Sequence, residues 1–177
     1  VSMRDIVVAT NETLALNIVV RNEGATTESA PVKWICTGGT PTSGNETTSV
    51  LTQDGTENHN FSIAWTAPAT AGTYQLTFYT ELATDGDSSN DSTTIEISVV
   101  NPQTVPVSEN FDSVSSPEIP FGWSVENKNR DYHEWITDIY GDHSEPNSIC
   151  LWQDFFLQAD DWLFSCPLSL EAGKTYN

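Results

Sequence analysis

The sequence predicts an all-β chain, with an immunoglobulin-like sandwich over roughly its first hundred residues and the start of a second β-sandwich after it. Three observations carry this. Apolar and polar residues alternate with period two through the first part, and no segment sustains a 3.6-residue period. Gly, Asn, Asp and Pro turns divide that part into about seven short runs, the strand number of an immunoglobulin-like domain. Beyond a proline-broken connector, large apolar residues recur over further short runs.

The runs follow in order. "DIVVA" opens the chain, and in "TLALNIVVRN" Leu14, Leu16, Ile18 and Val20 share one face while Asn17 and Arg21 take the other. "PVKWICT" sets Val32, Trp34 and Cys36 at one parity, which places Trp34 in the core with Cys36 beside it. "TTSVL" is the next run. "HNFSIAW" puts Phe61, Ile63 and Trp65 on one side. "TYQLTFYTEL" does the same with Tyr74, Leu76, Phe78 and Leu82, and "TIEISVV" with Ile95, Ile97 and Val99. The first domain is assigned to residues 1–101. Pro102 and Pro106 favour an extended backbone, which makes 102–106 a linker. Residues 107–177 begin the second domain, where Phe111, Trp123, Trp135, Leu151, Trp162, Phe164 and Leu170 are expected to fill a two-sheet core.

Composition narrows the function. A formal charge of −19 with six Lys and Arg, none clustered, excludes nucleic acid and an anionic membrane surface as partners. An apolar content of 37% with six Trp is not a disordered composition. It leaves a well-dispersed protein whose carboxylates suit hard cations such as calcium. No run is long and apolar enough for a transmembrane helix, so no membrane insertion is expected in this segment. The first residues carry no signal peptide, and the closing "LEAGKTYN" reads as the opening of another strand. The expectation is a piece of a longer product, with further domains of the same polypeptide elsewhere.

No Gly-x-Ser-x-Gly, phosphate loop or dinucleotide turn is present, and nothing pairs a nucleophile with a base, so no catalysis is expected in this segment. "HEW" at His133–Trp135 lacks the second His of a zinc-protease helix, since Thr137 stands there. His59, His133 and His143 have no metal-site or triad spacing and read as surface or turn residues. "DGDSSND" (Asp85–Asp91) starts like a calcium loop, but Asn90 stands where the Gly belongs, so a polar hairpin tip is expected.

"LALNIVVRNEGATTESAPVKW", "IAWTAPATAGTYQLTFYTEL" and "DGDSSNDSTTIEISVV" together resemble the CARDB-type domain, a cell-adhesion-related module of bacterial surface proteins. The resemblance covers roughly residues 5–100 and implies a non-catalytic spacer or adhesion module. "ENFD…P-x-G-W", Trp135, and "DDWLFSCPLSLEAGKTY" are similar to the jelly-roll modules of the cleaved-adhesin family, found in haemagglutinin and gingipain-type surface proteins and related in fold to MAM-like domains. This covers residues 107–177, the first half of such a module, and so implies a partial jelly roll. Position by position, Glu109 and Asp112 match the family's acidic first strand, and Asp160 and Asp161 its polar residues before "WL". The resemblance thus implies a structural calcium held by Glu109, Asp112, Asp160 and Asp161. Many members carry a D-x-D-G loop before the second Trp; here it reads "NKNRDYHEW", with Lys128 and Arg130, and departs from the pattern.

Cys150 and Cys166 lie on two candidate strands; paired as a hairpin these would set the two thiols opposite each other, as a disulfide or as buried free thiols. Among Tyr132, Trp135, Tyr140, Trp152, Phe155 and Phe156, most read as core, while Tyr132 and Tyr140 sit in loop-like sequence and are the candidate ligand-binding aromatics. The sequons at Asn11, Asn45, Asn60 and Asn90 read as chance in so Asn-, Ser- and Thr-rich a sequence. The functional expectation is an exported bacterial cell-surface module for adhesion or display, binding a host glycan or a matrix protein. Alternatives are an accessory region of a secreted protease or glycosidase, and a purely structural stalk.

Overall fold

The computed structural model describes residues 6–140, 146–151 and 159–176. The chain is all-β, and no helix among the described residues is long and apolar enough to cross a membrane. Nine strands precede residue 101: β1 (Ile6–Ala9), β2 (Thr13–Leu14), β3 (Asn17–Arg21), β4 (Pro31–Cys36), β5 (Ser43–Thr47), β6 (Thr56–Asn60), β7 (Trp65–Thr66), β8 (Gly72–Thr80) and β9 (Ser92–Val100). Contacts divide the chain into two compact units, Thr10–Ile97 and the remainder.

The Thr10–Ile97 unit is an immunoglobulin-like sandwich. Strands β9, β8, β4 and β5 hydrogen-bond in that order, while β3 pairs with β6 and β2 with β7. Trp34, Leu76, Phe78 and Ile97 from the first sheet, and Leu16, Val20, Phe61 and Trp65 from the second layer, are buried. Phe61 stacks on Phe78 with centroids 5.9 Å apart, so the two layers meet there. Each Trp needs backbone kept close, and glycine provides it. A Cβ on Gly44 would lie 2.3 Å from the Trp34 indole nitrogen, so only glycine fits that β5 position.

The parity of Val32, Trp34 and Cys36 holds, and all three are buried. Three other expectations do not hold. The strand after β4 is not "TTSVL" but the wholly polar "SGNET" of β5; Val50 is exposed, and of the expected run only Thr48 and Leu51 are buried. β5 lies at the sheet edge, where pairing to β4 needs no apolar face beyond Gly44. "HNFSIAW" is not one strand: β6 ends at Asn60 and β7 starts at Trp65, so Ile63 falls out of phase and is exposed.

His59 is the third correction. It is buried, with its Nδ1 2.7 Å from Glu57 Oε1 and its Nε2 3.3 Å from Glu46 Oε2. Glu46 stands on β5 and Glu57 and His59 on β6, so the trio laces the two layers along one border. The Ser62 hydroxyl and amide donate to Glu46 Oε1, each at 2.7 Å; the Ser49 hydroxyl and amide donate to Glu57 Oε2. These bonds, with His59, hold both carboxyls below the usual carboxylate range. A depressed folded pKa contributes stability that is present above the unfolded carboxylate pKa of about 4.3 and lost as pH falls through the folded value. Urea midpoints are therefore expected to fall on acidification more in the native chain than in a Glu46→Gln, Glu57→Gln variant; parallel acid profiles would refute the role of this trio.

In the second unit, β10 (Gln103–Thr104) lies inside the segment expected to be a bare linker and pairs in parallel with β15 (Leu168–Ser169). β11 (Ser124–Asn127) pairs with β14 (Asp161–Phe164), and β12 (Trp135–Asp138) with β13 (Ser148–Leu151). The hairpin that would set Cys150 opposite Cys166 is therefore not formed, because the strand of Cys150 pairs with β12 and Cys166 follows a strand paired with β11. Cys166 is a buried thiol, and burial pushes its pKa up. A Cβ on Gly122, whose φ is +88°, would lie 3.2 Å from the Cys166 sulfur and 2.9 Å from Val100 Cγ1, so glycine seals this cluster. Two expected core residues are exposed, Trp162 and Leu170. Trp162 lies opposite Glu126 in the ladder and stacks on Phe164 at 6.4 Å between centroids, leaving its outer face to solvent. The buried residues of this unit include Val8, Val99 and Val100, with the polar Ser124, Thr137, Asp138 and Asn147 and the thiol of Cys166.

Candidate functional site

The end of the β11–β14 ladder gathers the candidate site. Asn127 and Asp161 are opposite each other in register. Asn127 Nδ2 donates to the carbonyls of Asp131 (2.7 Å) and His133 (3.1 Å), which draws the loop after β11 back over the strand end. Within that loop Asn129 Oδ1 accepts from the Asp131 amide at 3.3 Å, and Asp131 Oδ1 accepts from the His133 amide at 2.8 Å. The Trp135 indole donates to the Asp161 carbonyl at 3.2 Å, and the Lys128 amide to the Asp160 carbonyl at 3.3 Å. Along the loop Lys128, Asn129, Arg130 and Tyr132 are exposed, while Asp131 and His133 are half-buried.

The electrostatics are one-sided. Both carboxylate oxygens of Asp161 are buried without a well-formed hydrogen bond, the Asp160 amide being a weak donor to them, and Asn127 Oδ1 and His133 Nδ1 are likewise buried without a hydrogen-bond partner. Burial raises the Asp161 pKa and the charge of Asp131 raises it further; the Asp160 backbone amide lowers it, the Asp160 charge raises it, and His133 lowers it slightly. Orphaned buried acceptors cost free energy unless something neutralises them. The donor set of carboxylate, amide and backbone oxygens is the hard, irregular kind that calcium accepts. Among the described residues no three His, Cys, Asp or Glu side chains are disposed to hold a metal ion, so a cation here would draw on Asn127 and backbone carbonyls as well as Asp161 and Asp131.

The four acids singled out from sequence divide. Asp161 is in this site, and Asp160 is exposed beside it. Glu109 instead accepts from the amides of Asn110 (3.0 Å) and Phe111 (2.8 Å), capping its own turn. Asp112 accepts from Asn110 Nδ2 at 2.7 Å and is oriented toward Asn147, whose Nδ2 donates to Val114 O at 2.6 Å. None of these described bonds reaches Asp160 or Asp161. Asp131 does not stand out in the sequence because Lys128 and Arg130 precede it. The usable signal is the run of oxygen-bearing side chains Asn127, Asn129 and Asp131 at every second position, of which Asn127 and Asp131 are half-buried.

Tyr132 and Tyr140 are both exposed, at 103% and 79%. They flank β12, whose four residues span about 13 Å, so they stand at its two ends and do not make one platform. Trp135 is half-buried; Trp152, Phe155, Phe156 and His143 lie outside the described residues. The Asp85–Asp91 segment connects β8 to β9 through a short 3-10 turn (Ser88–Asn90), with Asp87 accepting from the Ser89 amide at 3.0 Å; Ser89, through its hydroxyl first, lowers the Asp87 pKa.

No family model matches the chain, and no curated protein matches it. Among solved structures, the CARDB domain of a Pyrococcus furiosus protein in complex with di-metal ions is similar at 22% identity, over 55% of this chain and 83% of that one, with a TM-score of 0.45. The all-β sandwich stands on this chain's own strand pairing.

Proposed function

We propose that the chain is a non-catalytic module of an exported bacterial cell-surface protein, serving adhesion or display. In this reading residues 107–177 belong to a cleaved-adhesin-type jelly roll, and the ligand is a host glycan or a matrix protein. One observation carries it: all five exposed aromatic residues among the described ones, Phe121, Tyr132, Tyr140, Trp162 and Tyr176, lie in the second unit. Exposed aromatics offer large contact area at small entropic cost, which suits sugar faces and protein surfaces alike.

The site around Asp161 supports the same reading. Tyr132 stands between Asp131 and His133, whose backbone carbonyls are bonded to Asn127 and whose charges act on Asp161. A calcium ion bound by Asp161, Asp131 and Asn127 would stiffen the loop and fix Tyr132 in its outward position, so that binding would depend on calcium. Screening the chain against immobilised host glycans and matrix proteins, with calcium and with chelator, tests this. Saturable binding is expected, weakened about tenfold by Tyr132→Ala and reduced by chelator. Absence of any ligand, with Tyr132→Ala and Tyr140→Ala without effect, would make the chain a structural stalk.

A further inference from the structure

The immunoglobulin-like unit carries a cleft of about 620 Å³, within the size range of ligand-binding sites. It opens between the β3–β4 connection and the β8–β9 connection, and lies wholly within Thr10–Ile97. Its floor is apolar, with Val20, Leu51 and Phe78 all buried in the sandwich core. Its rim is acidic. Glu23, Glu28, Asp85, Asp87 and Asp91 line it, against Arg21 alone among lining cations, and Arg21 is itself paired to Asp54 at 2.8 Å and to Glu23 at 3.6 Å.

Both walls are fixed by the chain's own bonds. Asn22 Nδ2 donates to the carbonyls of Thr26 (2.8 Å) and Leu51 (2.9 Å), while Asn22 Oδ1 accepts from the Gly24 amide at 3.0 Å. On the facing wall Asp85 accepts from the Asp87 amide at 2.8 Å, and Asp91 accepts from the Thr80 hydroxyl at 3.0 Å. Asn90 Nδ2 reaches across to Glu23 at 3.3 Å and ties one wall to the other. A concave surface ordered in advance spares a ligand the cost of ordering it. An apolar floor beneath a ring of carboxylates complements a cationic chain with apolar side chains.

We propose that this cleft binds an extended basic peptide, with apolar side chains on the floor and Lys or Arg side chains against the acidic rim. This is a second site, independent of the aromatics and of the Asp161 site in the other unit. The overall charge of −19 attracts any cation, so the test must separate a site from a general field. Fluorescence anisotropy of a labelled short peptide of alternating lysine and valine, at physiological salt, would be measured on the whole chain. Glu28→Gln with Asp85→Asn removes two rim charges and keeps an acceptor at each position. Glu96→Gln with Glu118→Gln removes two exposed charges that do not line the cleft. Saturable binding weakened about fivefold by the rim pair, and less than about twofold by the distant pair, is the expected result. Equal loss in both pairs, no saturable binding, or spermine competing as well as unlabelled peptide would each overturn the proposal.

Discussion

Trp34→Ala is expected to destabilise the Thr10–Ile97 unit by about 3–5 kcal/mol, a large share of the roughly 5–15 kcal/mol a domain possesses. The Trp34 side chain is fully buried on β4, between β5 and β8 in the sheet. Gly44 leaves no side chain that could swing in and refill the space. The cavity term therefore adds to the lost transfer free energy instead of relaxing away. Trp34→Phe should cost much less, because the indole nitrogen is itself a buried donor without an acceptor and its removal returns part of the loss. Native-state hydrogen exchange at the Leu76 and Phe78 amides reads the opening of this unit alone. A change below about 1 kcal/mol for Trp34→Ala would mean that the core repacks around the gap, against the close packing described here.

Asp161→Asn is expected to act in opposite directions with and without calcium. In chelator it removes a buried charge that has no well-formed hydrogen bond and stands beside Asp131, and brings an amide to a site crowded with acceptors, so stability should rise by about 1–3 kcal/mol. In calcium the native chain gains by linkage, about 2.7 kcal/mol at a hundredfold excess over Kd, and the variant should gain far less. Melting temperatures of both chains in the two buffers decide it. If the variant responds to calcium as the native chain does, or is destabilised in chelator, Asp161 is not a cation ligand.

The legible parts of the fold were those where one residue type decides one face. Val32, Trp34 and Cys36 could be placed because a strand buried on one side alternates strictly, and their burial agrees. Ile63 was misplaced by the same rule, since parity carries no information across the break between β6 and β7. β5 has no apolar residue, so hydrophobic pattern could not find it; its register rests on pairing with β4 and on the room Gly44 leaves for Trp34. His59 reads as a surface residue because polar residues usually are; Glu57, two residues before it on the same strand, is legible as a neighbour, whereas Glu46 on β5 becomes its partner only when the two layers fold together. Asp161 was singled out, but Asp131 and Asn127 meet it only through the β11–β14 register and the loop drawn back by Asn127, a relation absent from local sequence.

The edge strand β5 has one further consequence. An open sheet edge is a template for another chain, and crowding raises the chance of pairing. Its Ser-Gly-Asn-Glu-Thr sequence has low strand propensity, no apolar face to offer a neighbour, and a glutamate whose charge would meet its own copy in a symmetric pairing. Packed side by side at high density, such modules would resist polymerising through this border and stay separate molecules.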